Sequence, residues 1–173
     1  MPNKGKLDDA EADFHRMADI YRWVYAGKHY YIGIAESNLA DVYVEKKNYK
    51  EGERLFREAL SMYAQILPSG HQLVGIARVR LGRAILRQRR YSAAESEIRA
   101  GYELLMKQTN PPANWLSNAR TDLEEEYDAL NKPEQAAKFR AEVTGSSQKL
   151  AISQVRSEAE TRDQLKVNRL TLR

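Results

Sequence analysis

Apolar residues return at three- and four-residue steps along most of this chain, the spacing of helices with one buried face. Between Leu7 and about Ala26 the stripe is Ala10, Phe14, Met17, Ile20, Tyr21 and Val24. Asp8 is placed to cap this helix, Asp9 and Glu11 suit its positive end, and Gly27 closes it. A second helix, about Tyr31 to Glu45, buries Ile34, Ala35, Leu39, Val42 and Tyr43. The polar turn Lys46-Lys47-Asn48 is so short that the third helix, Lys50 to Ile66, returns antiparallel with Leu55, Phe56, Ala59, Met62 and Tyr63 inward. After the Pro68-Ser69-Gly70 break the pattern repeats. Leu73 to Gln88 carries Ile76, Ala77, Leu81, Ala84 and Ile85, and Ser92 with Glu95 suggests a capping box for a helix to about Lys107. Beyond Asn110-Pro111-Pro112, Trp115 to Leu130 and Pro133 to Val143 form a last pair, with Pro133 at a first-turn position.

The stripes themselves recur. A shift of 42 residues carries Glu11 to Glu53 and then Glu95, Phe14 to Phe56, Tyr21 to Tyr63, His29 to His71, Leu39 to Leu81 and Leu123, and Ala94 to Ala136. A fixed period of this size marks a solenoid, in which each hairpin buries its apolar face only against its neighbours. The expected fold is all-α, an α-α superhelix of antiparallel pairs. The array spans 1–144, as a half repeat (7–30) followed by repeats over about 31–70, 71–112 and 113–144. In that register Gly5-Lys6-Leu7 aligns with Lys47-Asn48-Tyr49, so the first helix lacks a hairpin partner. Phe14, Met17 and Val24 would then form an apolar patch, which a second copy of the chain or the chain's own tail could cover.

Composition changes the picture in two places. The net charge of +4 and the sequence pI of about 9.2 suggest an anionic partner, but the charge is uneven. Beyond Gly145, Lys149, Arg156, Arg162, Lys166, Arg169 and Arg173 outnumber Glu158, Glu160 and Asp163, leaving the array close to neutral. Residues 145–173 are expected to be a polar basic tail, frayed helix or disorder. An almost neutral body makes nucleic-acid binding unlikely as the main role, with the tail and the Arg78–Arg90 cluster as the alternative route to it. There is no cysteine, no signal-peptide core in Met1 to Lys6 and no membrane-length apolar run, which makes a cytoplasmic setting the default expectation.

The residues Leu39-Ala40…Tyr43…Gly52…Phe56…Ala59 and Leu81-Gly82…Ile85…Ala94…Ile98…Gly101 resemble tetratricopeptide repeats. A weaker copy is Leu123-Glu124…Tyr127…Ala136…Arg140. The 42-residue period, with Tyr49 to Glu53, Arg57-Glu58-Ala59-Leu60 and Gly70-His71, is similar to the repeats of kinesin light chains and of arrays that follow bacterial serine/threonine kinase domains. This resemblance implies a protein-interaction or scaffold module, a fragment or regulatory part of a larger signalling protein such as a kinase. Three features depart from the pattern. Glu36, Arg78 and Arg120 occupy the family's tryptophan position, Glu124 a small-residue position and Arg140 an aromatic one, which suggests that the last repeat is a polar cap.

No enzyme is legible. His29 and His71 recur at the repeat offset, as helix-start residues do, and no spacing of His, Asp and Glu suits a metal. Gly33 and Gly75 read as single helix-start glycines, and Glu124-Glu125-Glu126 as solvated surface. No catalytic residue, cofactor or metal is expected. The resemblance places the binding groove on the first helix of each pair, at Ser37, Asn38, Asp41 and Glu45, then Val79, Arg80, Arg83 and Arg87, then Thr121, Asp122, Glu125 and Asp128. Asn38 matches an asparagine that such repeats use to hold peptide backbone. Arg80, Arg83 and Arg87 lie on one helix face and suit carboxylates. The expected partner is a protein or an extended, partly acidic peptide. The competing reading pairs these arginines with Asp41, Asp122 or Glu125 on the neighbouring helices.

Overall fold

A computed structural model describes residues 4–145 of the chain. Six helices follow one another: α1 (Lys4–Val24), α2 (Tyr30–Glu45), α3 (Tyr49–Ile66), α4 (Gln72–Leu86), α5 (Tyr91–Met106) and α6 (Ala113–Ala129). A seventh, α7, is helical over 133–145. The described residues contain no strand. α3 packs between α2 and α4, α5 packs between α4 and α6, and α1 packs on α2. This is the α-α superhelix of antiparallel pairs that the period implied. The tail expectation for 145–173 falls, after Gly145, outside the described residues.

Of the two apolar core clusters among the described residues, the larger runs through the array. Leu39, Phe56, Leu81, Ile85, Ile98, Leu105, Leu123 and Tyr127 belong to it, and Phe56 is 0 % exposed. The core closes because backbones meet at glycine. A Cβ on Gly101 would lie 2.7 Å from the Gly75 carbonyl oxygen, 2.8 Å from Val79 Cγ2 and 2.9 Å from the Val79 nitrogen, so the α4 backbone rests directly on α5 beside the Val79 side chain. A Cβ on Gly33 would likewise lie 2.6 Å from the Tyr63 ring, which packs against the bare backbone there. Gly33 and Gly75, in the first turns of α2 and α4, are thus contact points between helices as well as helix-start residues.

The turns inside each hairpin share one geometry. Lys47, Arg89 and Asn131, at the repeat offset, all adopt positive φ, at 63°, 60° and 54°. The next N–H then reaches back to the carbonyl five residues earlier: Asn48 to Tyr43, Arg90 to Ile85 and Lys132 to Tyr127. This is the Schellman closure, which satisfies a helix-end carbonyl. A glutamate on the preceding second helix fastens each turn. Glu11 accepts from Tyr43 (2.7 Å) and Lys46 (2.5 Å), and Glu53 from Gln88 and Arg90 (both 2.7 Å). Glu95 accepts from Tyr127 at 2.8 Å and faces Lys132 at 3.7 Å. The bonds from Lys46 and Tyr43 hold the Glu11 carboxyl below its ordinary range.

Helix starts differ in part from expectation. His29 and His71 are N-caps whose Nδ1 atoms accept from Tyr31 N–H (3.2 Å) and Leu73 N–H (3.1 Å). Asp8 is not a cap, because α1 begins at Lys4 and Asp8 instead meets Lys46 at 2.5 Å. Ser92 is not a cap either. α5 begins at Tyr91 after Arg90, which makes no side-chain capping bond, and Glu95 is committed to the next hairpin.

The departures from the repeat pattern all form ion pairs. Glu36 meets Arg22, Arg78 meets Glu97 and Arg120 meets Glu142, so ion pairs between helices stand at the tryptophan position. Glu124 and Arg140 form a 2.7 Å pair. The aromatic missing at Arg140 is supplied one residue earlier by Phe139, 7 % exposed and stacked on Tyr127. On α1, Phe14 and Met17 are half-buried, while Ile20, Trp23 and Val24 are 56 %, 85 % and 53 % exposed.

Candidate functional site

The first helices α2, α4 and α6 stand side by side, with contacts from α4 to each of the others. Residues equivalent by the 42-residue offset therefore form rows across one face: Asn38, Arg80 and Asp122; Asp41, Arg83 and Glu125. In the second row the charges alternate from helix to helix, and in the first the neutral Asn38 precedes an Arg and an Asp. Arg80 donates to Asn38 Oδ1 at 3.4 Å and meets Asp41 at 3.2 Å. Arg83 Nε reaches both Asp122 oxygens, at 3.2 and 3.0 Å, and Arg87 meets Glu125 at 2.6 Å. The arginine stripe is thus tied to α2 at one end and to α6 at the other.

Burial makes these pairs unequal. Asp122 is 3 % exposed, and its pKa is pushed up to about 6 by burial, a rise that Arg83 limits. Asp41 is also raised by burial, against the pull of Arg80 and Arg83. Arg87 and Glu125 lie in the open, where an ion pair contributes little. Removing Arg83 would strand a buried carboxylate, whereas removing Arg87 would not.

Two pockets open on this face. One, of about 150 Å³, is lined by Ile34, Ser37, Asn38, Tyr63, Leu73, Ile76, Ala77, Arg80 and Trp115. The other, of about 390 Å³, is lined by Val44, Glu45, Lys47, Tyr49, Arg83, Arg87, Asn118, Thr121 and Asp122. Ser37, Asn38, Glu45, Arg80, Arg83, Arg87, Thr121 and Asp122 thus come together as pocket walls. Two other candidates do not face the groove. Val79 is 0 % exposed and packs onto α5 at Gly101, and Asp128, one residue off the repeat register, pairs with Arg140 of α7. Several wall residues were missed, among them Leu73, Ile76 and Trp115. The same offset marks them: Tyr31, Leu73 and Trp115 form one row, and Ile34, Ile76 and Asn118 another.

Residues 3–65 and 31–107 match the family model for the tetratricopeptide repeat. The chain belongs to the tetratricopeptide repeat family. The fold is similar to crystal structures of BtubC (BKLC) from P. vanneervenii, at TM-score 0.75 and 14 % identity, and of a Podosopora anserina putative kinesin light chain with nearly identical TPR-like repeats, at 0.69 and 16 %. A Q17M form of the latter gives 0.70 and 16 %. The alignments cover 85 %, 84 % and 84 % of this chain and 59 %, 69 % and 68 % of those proteins. No curated protein sequence matches the chain. Tetratricopeptide repeats mediate protein–protein interactions, and that general role extends to this array.

Two further features bear on chemistry. Among the described residues no group of three or more His, Cys, Asp or Glu side chains could hold a metal ion, and no helix is long and apolar enough to cross a membrane. The Glu124-Glu125-Glu126 run is not a solvated surface throughout. Glu126 is 0 % exposed, and neither carboxylate oxygen has a hydrogen-bond partner among the described residues. Burial, with the nearby Glu95 charge, pushes its pKa up to about 7, while Lys132 and Arg99 pull the other way too weakly to restore it.

This raised value has a definite sign in stability. The proton is held more tightly in the folded chain, so the stabilisation from Glu126 is complete below the ordinary carboxylate pKa and is lost as pH rises through about 7. Urea unfolding at pH 5 and pH 8 should therefore show Glu126→Gln losing less stability than the native chain, the difference being about 2 kcal/mol. Equal losses in the two proteins would refute the assignment.

Proposed function

We propose that the α2/α4/α6 face binds an extended peptide segment of a partner protein, and that this array works as an interaction or scaffold module. The observation that carries the reading is the coincidence of two open pockets with the charged rows on a single face. Side-chain pockets beside hydrogen-bonding groups are what an extended peptide needs. An acidic preference belongs at the larger pocket, where Lys47 adds positive charge beside the exposed Arg87–Glu125 pair. A phosphate backbone is a poorer fit. Arg78, Arg80, Arg83, Arg87 and Arg90 each already meet a carboxylate, whereas counterion release rewards cations that are uncommitted.

A second surface is carried by a different observation. Where the later repeats place Gln65 and Lys107, α1 places Trp23, flanked by exposed Ile20 and Val24. Asp13–Arg16 and Asp19–Arg22 pairs lie along the same helix, so both signs of charge border the patch. A patch of this kind is complementary to itself when two α1 helices run antiparallel, and we infer a homodimer through α1.

Both readings have direct tests. Dodecapeptides selected from a random display library against the full chain should bind Arg87→Glu about tenfold more weakly, with the thermal midpoint little changed because the Arg87–Glu125 pair is exposed. Unaltered affinity would remove the groove from consideration. Sedimentation equilibrium should show a reversible dimer at micromolar concentrations that Trp23→Ser abolishes, and a monomer throughout would contradict the α1 interface.

A further inference from the structure

The larger pocket holds an ion pair in which one partner is within reach of a ligand and the other is not. The Asp122 side chain is 4 % exposed, while that of Arg83 is 30 % exposed and forms part of the pocket wall. The pair uses one edge of the guanidinium. Nε lies 3.2 and 3.0 Å from the two carboxylate oxygens, and Nη2 lies 3.0 Å from Oδ2. That fork is the contact an arginine offers to any carboxylate. Asp122 therefore already fills, from inside the fold, the place that an acidic ligand would take at Arg83. Two repeats earlier the same position is the neutral Asn38, so the charge belongs to this helix and not to the repeat.

We propose that Asp122 is a built-in competitor for acidic ligands: a carboxylate of a bound peptide takes over Arg83 as Asp122 accepts a proton from solvent, so that acid opens the larger pocket to anions. The proposal rests on the groove reading above and deepens it by naming what regulates the larger pocket. While Asp122 is ionised, a ligand carboxylate at Arg83 puts two anions on one cation in a partly desolvated site, which disfavours one of the charges. Protonation removes that charge from the buried partner, where it is most costly. With Asp122 neutral, Lys47, Arg83 and Arg87 face one carboxylate among the lining residues, Glu45.

The surroundings hold Asp122 near this point. Burial pushes its pKa up to about 6, Arg83 and Arg87 of α4 act to keep it ionised, and Glu125 of its own helix opposes them. Glu45 and Lys47 on the α2 side and Tyr49 of α3 are the other titratable groups of the wall. Asp41 of α2 also lies in the field of Arg83 and is itself raised by burial. Binding and protonation are then linked in both directions: acid tightens the anion, and the anion draws a proton onto Asp122.

The test uses histidine-free dodecapeptides selected from a random library against the full chain at pH 5.5, with affinities from fluorescence anisotropy at pH 5.5 and pH 8, a range over which peptide carboxylates stay ionised. Selected peptides should carry an Asp or Glu whose change to Asn or Gln weakens binding at least about tenfold. The native chain should bind them about tenfold more weakly at pH 8 than at pH 5.5. Asp122→Asn should bind at pH 8 as tightly as the native chain does at pH 5.5, with the pH dependence lost. A purely structural role for Asp122 would leave that dependence in place. Isothermal titration calorimetry of the native chain at pH 6.5, in two buffers of different ionisation enthalpy, should show net proton uptake, which keeps the test decisive if Asp122→Asn fails to fold. Affinity that ignores pH, the same pH dependence in both proteins, absence of proton uptake, or peptides indifferent to their own carboxylates overturns the competitor. If those peptides are still weakened by Arg87→Glu, the groove stands without it. If they are indifferent to Arg87→Glu as well, both readings fall.

Discussion

The rest of this array depends on the contact of two backbones at Gly75 and Gly101. With no Cβ at Gly101, the α4 carbonyl at Gly75 and the Val79 nitrogen approach α5 directly. Glycine inside a helix costs up to about 1 kcal/mol relative to alanine, so two at one contact are tolerated only if the approach returns more. It does so through Val79, Ile98 and Leu105, each 0 % exposed. The contact also sets direction. With Val79 turned into α5, Arg80, Arg83 and Arg87 are left toward α2 and α6, and the charged rows follow.

Polar chemistry then fixes what the apolar core leaves free. Glu11, Glu53 and Glu95 each bind the turn of the next hairpin, so one residue type at one repeat position locks three positive-φ turns. Across the groove the ion pairs do a second job. They align neighbouring first helices and leave little uncompensated charge where a ligand would lie. Glu126 is the exception, a buried carboxylate with no hydrogen-bond partner among the described residues.

The period made most of this legible. It revealed the helices, their antiparallel order, the histidine caps and the glutamate position. What it hid were choices made by three-dimensional neighbours. Asp8 and Ser92 have capping chemistry, but α1 begins four residues before Asp8 and α5 one residue before Ser92, so neither stands at the N-cap. Glu126 sits in an acidic run that suggests solvent, yet it is fully buried, within the field of Glu95, Arg99 and Lys132. Val79 follows the groove register of Ser37 and Thr121, but the glycine contact draws it into the core. In the last repeat the aromatic moves from position 140 to Phe139, a slip that a rigid offset cannot register. The groove candidates were found in part for the same reason: the charged rows were read, while the apolar row through Leu73 and Trp115 was passed over.

The backbone contact can be tested by the sign of one substitution. Helix propensity alone says that Gly101→Ala stabilises the chain, by up to about 1 kcal/mol. Packing says the reverse, because the added methyl meets backbone atoms at 2.7 and 2.9 Å that cannot turn aside as a side chain would. Equilibrium urea unfolding should show Gly101→Ala less stable by about 1–3 kcal/mol. A midpoint equal to or above that of the native chain would contradict the account.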